Sequence, residues 1–213
     1  MKAIFLHGLG QDSSAWKQTL DKIDIMEEAL CPDLSTWLVH KQPCYLSLYR
    51  ELERQCAQLS KRIDLCGISL GGILAMQYAI EHTEQVRSLV LIATQYTMPK
   101  GLLKLQNILF HFMPSVAFTG MGFSKKDFIR LCKSMIDLDF RDSFARLTCP
   151  ILIVCGEKDR ANKKASIQLQ AQIPHAKLVI IADAGHEVNV DAPMELGKAI
   201  KDFYEEVSDT TGI

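Results

Sequence analysis

The chain has 213 residues, with 24 Lys or Arg against 25 Asp or Glu and a formal net charge of −1. That length is enough for one domain with a sizeable core and too short to argue for two. The even charge balance gives no basis for attraction to nucleic acid or to an anionic membrane. Apolar residues make up 48% and charged residues 23%, which is ordinary globular usage and not that of a disordered chain.

Apolar runs of strand length alternate with amphipathic segments of helix length. Residues 2–7 (KAIFLH) read as a first strand. Residues 13–23 read as a helix, with Ser13 or Ser14 as its N-cap. A weak second strand precedes 31–34. Residues 44–60 have helical spacing, with Leu48, Leu52, Cys56 and Leu59 on one face. A third strand at 63–67 (IDLCG) runs directly into a helix rich in Ala, Leu and Ile. Further strands are predicted at 86–93, 150–156 and 176–182, and further helices at 165–172 and 193–207, the last opening on a proline. The tail, 208–213, is polar and is expected to fray.

Near-continuous apolar strands imply burial on both faces, and their alternation with helices implies right-handed crossovers. The expectation is an α/β, doubly wound domain spanning 1–213 around a parallel sheet of about six strands. Ligands in such sheets bind beyond the carboxyl ends of the strands. One segment breaks the pattern. Residues 94–149 hold no strand for about fifty residues, longer than an ordinary connection. The segment is rich in apolar residues from Met98 to Phe128. It reads as a short helical lid inserted at 95–148.

Seven cysteines stand at irregular spacings with no C-x-x-C pair, several of them in apolar runs. They read as reduced, buried thiols, not as a disulfide framework. The first apolar run is too short for the apolar region of a signal peptide, and no stretch approaches membrane-spanning length. The expected location is cytoplasmic.

The strongest motif is Gly67-Ile68-Ser69-Leu70-Gly71, between a predicted strand and a predicted helix. That context matters: the sharp strand-to-helix turn strains the serine and projects its hydroxyl, while small neighbours allow the backbones to approach. Ser69 is the candidate nucleophile. A phosphate-binding turn would need G-x-x-x-x-G-K or G-x-G-x-x-G, and the chain has neither. A serine hydroxyl needs a base. Of six histidines, His186 follows the sixth strand, on the same sheet edge as Ser69. His7 is expected to be a hydrogen-bonded structural residue, and His40, His82, His111 and His175 packing or surface residues. The imidazole needs an acid to set its tautomer. Asp159, just after the fifth strand, is the leading candidate, with Asp183 and Glu157 as rivals. The order Ser69, Asp159, His186 is that of α/β-hydrolases and not of other serine-protease folds. Two backbone donors to an oxyanion are expected, the N–H of Leu70 after the nucleophile and that of Leu9 after the first strand.

The blocks HGLGQDSSAW, CPDLS, IDLCGISLGG, VRSLVLIA, CPILIVCGEKD, IPHAKLVIIADAGHEVNVDAP and KDFYEE resemble the successive blocks of the α/β-hydrolase superfamily. The nearest likeness is to its small bacterial carboxylesterase and enol-lactonase group. The resemblance covers nearly the whole chain outside the lid. It implies a parallel core sheet, a cap between the fourth and fifth strands, no cofactor and no metal, and acyl transfer to water. It maps Ser69, Asp159 and His186 onto the triad, and Leu9 and Leu70 onto the oxyanion donors. The antiparallel N-terminal hairpin typical of the family is not evident, since the chain opens on the HG strand. A serine at 69 speaks against the family's dehalogenases, which use aspartate there.

The leading expectation is a serine hydrolase acting through an acyl-enzyme on a carboxylic ester, lactone or thioester. Its partner would be a small-molecule substrate with a hydrophobic part, with no nucleic acid and no membrane, and it would work as a monomer or homodimer. Lys100, Lys104, Lys125, Lys126 and Arg130 read as solvated lid charges before they read as a carboxylate clamp. A lyase or C–C bond hydrolase on the same triad, and a non-catalytic ligand-binding relative, are the alternatives. Trp16 and Trp37 are expected to pack, not to line the pocket mouth.

Overall fold

The computed structural model of the chain describes residues 2–24, 29–98, 114 and 124–211. Six strands form one sheet: β1 (Ala3–Leu6), β2 (Ala29–Leu30), β3 (Ile63–Ile68), β4 (Val86–Ile92), β5 (Ile151–Gly156) and β6 (Lys177–Ile181). Their order is β2-β1-β3-β4-β5-β6, and every neighbouring pair is parallel. The doubly wound parallel sheet expected from the sequence is therefore present.

Successive side chains of a strand point to opposite faces, and both faces are covered. Ile4 and Leu6 of β1, with Leu89 and Leu91 of β4, join one buried cluster. Ala3 and Phe5, with Val90 and Ile92, join the other. The first cluster is closed by α2 (Tyr45–Cys56), α3 (Leu70–Glu81), α4 (Lys125–Ser134) and α5 (Arg160–Gln172), through residues such as Leu52, Leu74, Leu131 and Leu169. The second is closed by α1 (Lys17–Ile23) and α7 (Pro193–Thr211), through Leu20, Leu196 and Phe203. Trp16 is fully buried edge-to-face on Phe5, with ring centroids 5.3 Å apart, and Trp37 is buried too. Both tryptophans pack, as expected.

Several boundaries differ from expectation. Residues 13–23 divide into a 3-10 turn (Ser13–Trp16) and α1, and the cap is Asp12, whose carboxylate accepts from Ser14 N at 2.8 Å. A carboxylate accepts two such donors, and here it also takes the Ser14 hydroxyl. The helix predicted at 165–172 begins at Arg160, because Asp159 caps it. A short helix, α6 (Val188–Asp191), precedes α7, and α7 runs to Thr211, into the tail expected to fray. β6 is only partly buried, since it is the edge strand.

Of the segment 95–148, residues 99–113 and 115–123 lie outside the described residues, and with them Lys100, Lys104, His111 and most of the apolar side chains assigned to the lid. The rest holds α4 and a 3-10 turn (Arg141–Arg146), tied at its base by an antiparallel bridge between Thr97 and Asp139. Among the described residues no helix is long and apolar enough to cross a membrane.

The chain lays β2 on one side of β1 and β3 on the other. Connections on the two sides leave in opposite directions, which opens a crevice at the carboxyl ends of β1 and β3. The segments after these two strands hold His7–Gly8–Leu9 and Ser69.

Candidate active site

Ser69 sits between β3 and α3 at φ 53°, ψ −113°, a backbone conformation that side chains other than glycine rarely adopt. Two contacts hold the strain: Ser69 N donates to Ile92 O at 2.9 Å, and Ile73 N donates to Ser69 O at 3.0 Å. The turn is possible because its neighbours are glycines. A Cβ on Gly71 would lie 2.1 Å from Leu6 O, and one on Gly67 would lie 2.3 Å from Gly71 C and O. Leu70 is the first residue of α3. Its N–H is among the amides that a helix leaves without an intrahelical partner.

Asp159 and His186 come from the ends of β5 and β6. His186 Nδ1 lies 2.7 Å from Asp159 Oδ2. An ionised carboxylate can only accept, so Nδ1 carries the proton and Nε2 is the nitrogen left to take one. Asp159 is also the N-cap of α5. Its Oδ1 accepts from Asn162 N at 3.2 Å, and its Oδ2 accepts from Asn162 Nδ2 at 2.7 Å. Burial pushes the Asp159 carboxyl up, but the hydrogen bonds from His186 and Asn162 outweigh it and hold the group below its ordinary value. Asn162 Nδ2 and His186 Nδ1 lie 3.1 Å apart because they converge on one carboxylate oxygen. The rivals are turned elsewhere: Asp183 pairs with Lys158 at 3.1 Å, and Glu157 accepts from Asp183 N.

Ser69, Leu9, Leu70, Asp159 and His186 line one cavity of about 380 Å³. Its remaining wall is mostly apolar and includes Ile73, Met98, Phe128, Cys132 and Met135. A groove of about 480 Å³ between β6 and α7 is larger, but none of the predicted residues lines it. The sequence-predicted residues thus converge on a single cavity, although 90 residues of chain separate Ser69 from Asp159.

His7 is buried and does not line that cavity. Its Nδ1 lies 2.8 Å from Gly8 O, and its Nε2 accepts from Leu34 N at 3.0 Å. Burial lowers its pKa, and the Gly8 carbonyl works against that. His40 and His175 are exposed, and His82 pairs with Glu53. Glu53, Glu81 and His82 are the one group of metal-ligating type among the described residues. None of them lines the cavity, and Glu81 is engaged by Tyr49 and Gln77.

Four polar residues at the site escaped the sequence reading. Asn162 carries a detectable signal, because it stands three residues beyond a capping aspartate. Gln95, which donates to Asn162 Oδ1 at 2.8 Å, carries none. Gln11 and Asn189 bond each other across 178 positions of the chain, which no local pattern records.

Residues 3–199 match the alpha/beta hydrolase family. The chain is 25% identical to the pimeloyl-[acyl-carrier protein] methyl ester esterase of Yersinia pseudotuberculosis serotype O:1b, over 95% of this chain and 93% of that protein. It is 24% identical to the biotin biosynthesis bifunctional protein BioHC of Cellvibrio japonicus, over 95% of this chain but only 47% of that protein. The fold superposes on the enol-lactonase from Burkholderia xenovorans LB400 with a TM-score of 0.78 at 17% identity, covering 95% of this chain and 90% of the other. The chain belongs to the alpha/beta hydrolase family.

Proposed function

We propose that this member of the alpha/beta hydrolase family is a serine hydrolase that cleaves a carboxylic ester, or its lactone or thioester counterpart, through an acyl-enzyme on Ser69. The observation that carries the reading is one cavity lined by a strained Ser69 and by His186, with His186 Nδ1 held 2.7 Å from Asp159. The naming of a curated relative as a methyl ester esterase supports an ester as the substrate.

Ser69 Oγ attacks the acyl carbon while His186 Nε2 takes its proton. Asp159 stabilises the imidazolium without taking the proton itself. The N–H groups of Leu9 and Leu70 receive the oxyanion, and the helix N-terminus at Leu70 adds its positive end. His186 then returns the proton to the leaving alcohol. Water, activated by the same imidazole, releases the acid. Residues 95–148 act as the cap in this reading. Met98, Phe128, Cys132 and Met135 from it receive the hydrophobic part of the substrate.

The test is hydrolysis of p-nitrophenyl esters from acetate to decanoate by wild type and Ser69→Ala, with fluorophosphonate labelling of both. Wild-type turnover should fall by at least about 10⁴-fold in Ser69→Ala, with loss of labelling. Equal turnover by the variant, or a wild type that neither hydrolyses nor labels, overturns the reading.

A further inference from the structure

Two loops must be held in mutual register for this chemistry. One follows β1 and carries Leu9, and the other follows β6, carries His186 and leads directly into α6, which holds Asn189. They lie at opposite ends of the chain and are joined by a pair of side-chain amides. Gln11 Nε2 donates to Asn189 Oδ1 at 3.1 Å, and Asn189 Nδ2 donates back to Gln11 Oε1 at 3.2 Å. Each amide has one acceptor oxygen and one donor NH₂, so the two satisfy each other reciprocally and fix each other's plane.

The pair is anchored on both sides. On the first loop, Gln11 Oε1 also accepts from Gly8 N at 3.1 Å. On the second, Gln11 Nε2 also donates to Glu187 Oε1 at 3.2 Å, next to His186 in the chain. Asn189 is 1% exposed and gives a further bond to Ala15 O at 3.4 Å, so water does not compete for it. Gln11 itself does not line the substrate cavity. It lies in the small crevice beside it, with Gly8, Ser69 and His186.

We propose that Gln11 is a positioning residue: paired with Asn189, it sets the oxyanion loop against the histidine loop. The inference rests on the proposed ester hydrolysis and deepens it. It also assigns the donors. The Gly8 N–H is spent on Gln11 and is withheld from an oxyanion. The next amide, Leu9 N–H, meets no protein acceptor among the described residues and is left for the substrate. An oxyanion donor acts through placement in the transition state, so loosening the clamp weakens binding of the tetrahedral adduct and leaves ground-state binding alone.

The experiment measures kcat, KM and the affinity for a trifluoromethyl ketone, whose hydrated or serine-bound form mimics the tetrahedral adduct. Wild type, Gln11→Ala and Gln11→Glu are compared on one p-nitrophenyl ester. Gln11→Ala should lose about 10- to 100-fold in kcat with KM held within about twofold, and the ketone should bind more weakly by the same factor as kcat/KM falls. Gln11→Glu keeps an acceptor for Gly8 N–H but loses the donor to Asn189 and Glu187 and sets a second carboxylate against Glu187, so its kcat should fall at least as far as that of Gln11→Ala. The proposal is overturned if both variants keep the wild-type kcat, if the loss lies in KM alone, or if the ketone binds as tightly as before. If Gln11→Ala does not fold, Gln11→Glu decides by the same criteria. Ser69→Ala distinguishes the two levels. Turnover retained there overturns the ester-hydrolase reading, whereas turnover lost there beside a fully active Gln11→Ala overturns the clamp alone.

Discussion

Asp159 serves two structures with one carboxylate. It caps α5 through Asn162 and orients His186, and the hydrogen bonds that do this keep it charged. Asp159→Asn should separate the two duties. Asparagine caps a helix as well as aspartate does, so the fold should survive. An amide facing Nδ1 no longer stabilises the imidazolium or the required tautomer, and kcat should fall on the order of 10⁴-fold in steady-state ester hydrolysis. A carboxyl held below its ordinary value contributes stability that is present above its unfolded pKa, about 4, and is lost as pH falls through the folded value. The stability gap between wild type and Asp159→Asn should therefore be widest above about pH 4 and close in more acid solution. Urea unfolding across that range would show it. A gap that widens on acidification would contradict the assignment.

At the scale of elements, the two ends of the sheet do different work. The carboxyl ends of β1, β3, β5 and β6 deliver the candidate chemistry. The amino ends of β3 and β4 are fastened by Asp64, which is fully buried and opposite Ser88 in register. Its carboxylate takes Arg87 Nε at 2.8 Å, Arg87 Nη2 at 2.6 Å and the Ser88 hydroxyl at 2.6 Å. Removing one partner from a buried pair leaves the other charge uncompensated. Arg87→Met should destabilise the protein by about 3–5 kcal/mol in urea unfolding, while kcat of the folded fraction stays near wild type. A loss below about 1 kcal/mol would mean that solvent reaches Asp64 and compensates it, as for a surface pair.

Across the whole molecule, cohesion comes from two cores on either side of one sheet. All seven cysteines are free thiols, and only Cys31 and Cys44 are less than fully buried. Burial pushes the Cys31 thiol up to about 11 and those of Cys56 and Cys132 up to about 12, and it pushes Cys66 well above its ordinary value too. A thiol reacts as its thiolate. Ellman's reagent should therefore find no more than two readily reacting groups in the native protein and seven after denaturation. A reducing agent should leave Tm unchanged. A Tm that drops on reduction would show a crosslink.

The sequence alone marked the apolar strands, the strand-to-helix turn at Ser69, and the edge of the sheet on which Asp159 and His186 stand. These are local matters: apolar periodicity, glycine sterics and position after a strand are all written in neighbouring residues. It did not separate Asp159 from its rivals by contact, because the turn at Asp183 and its pairing with Lys158 form only in the folded chain. Nor did it mark β6 as the exposed edge, since strand order is a property of the assembled sheet. The Gln95–Asn162 and Gln11–Asn189 bonds belong to the tertiary structure for the same reason. An amide carries no sequence signal for its partner, and only packing brings residues 178 positions apart within 3.2 Å.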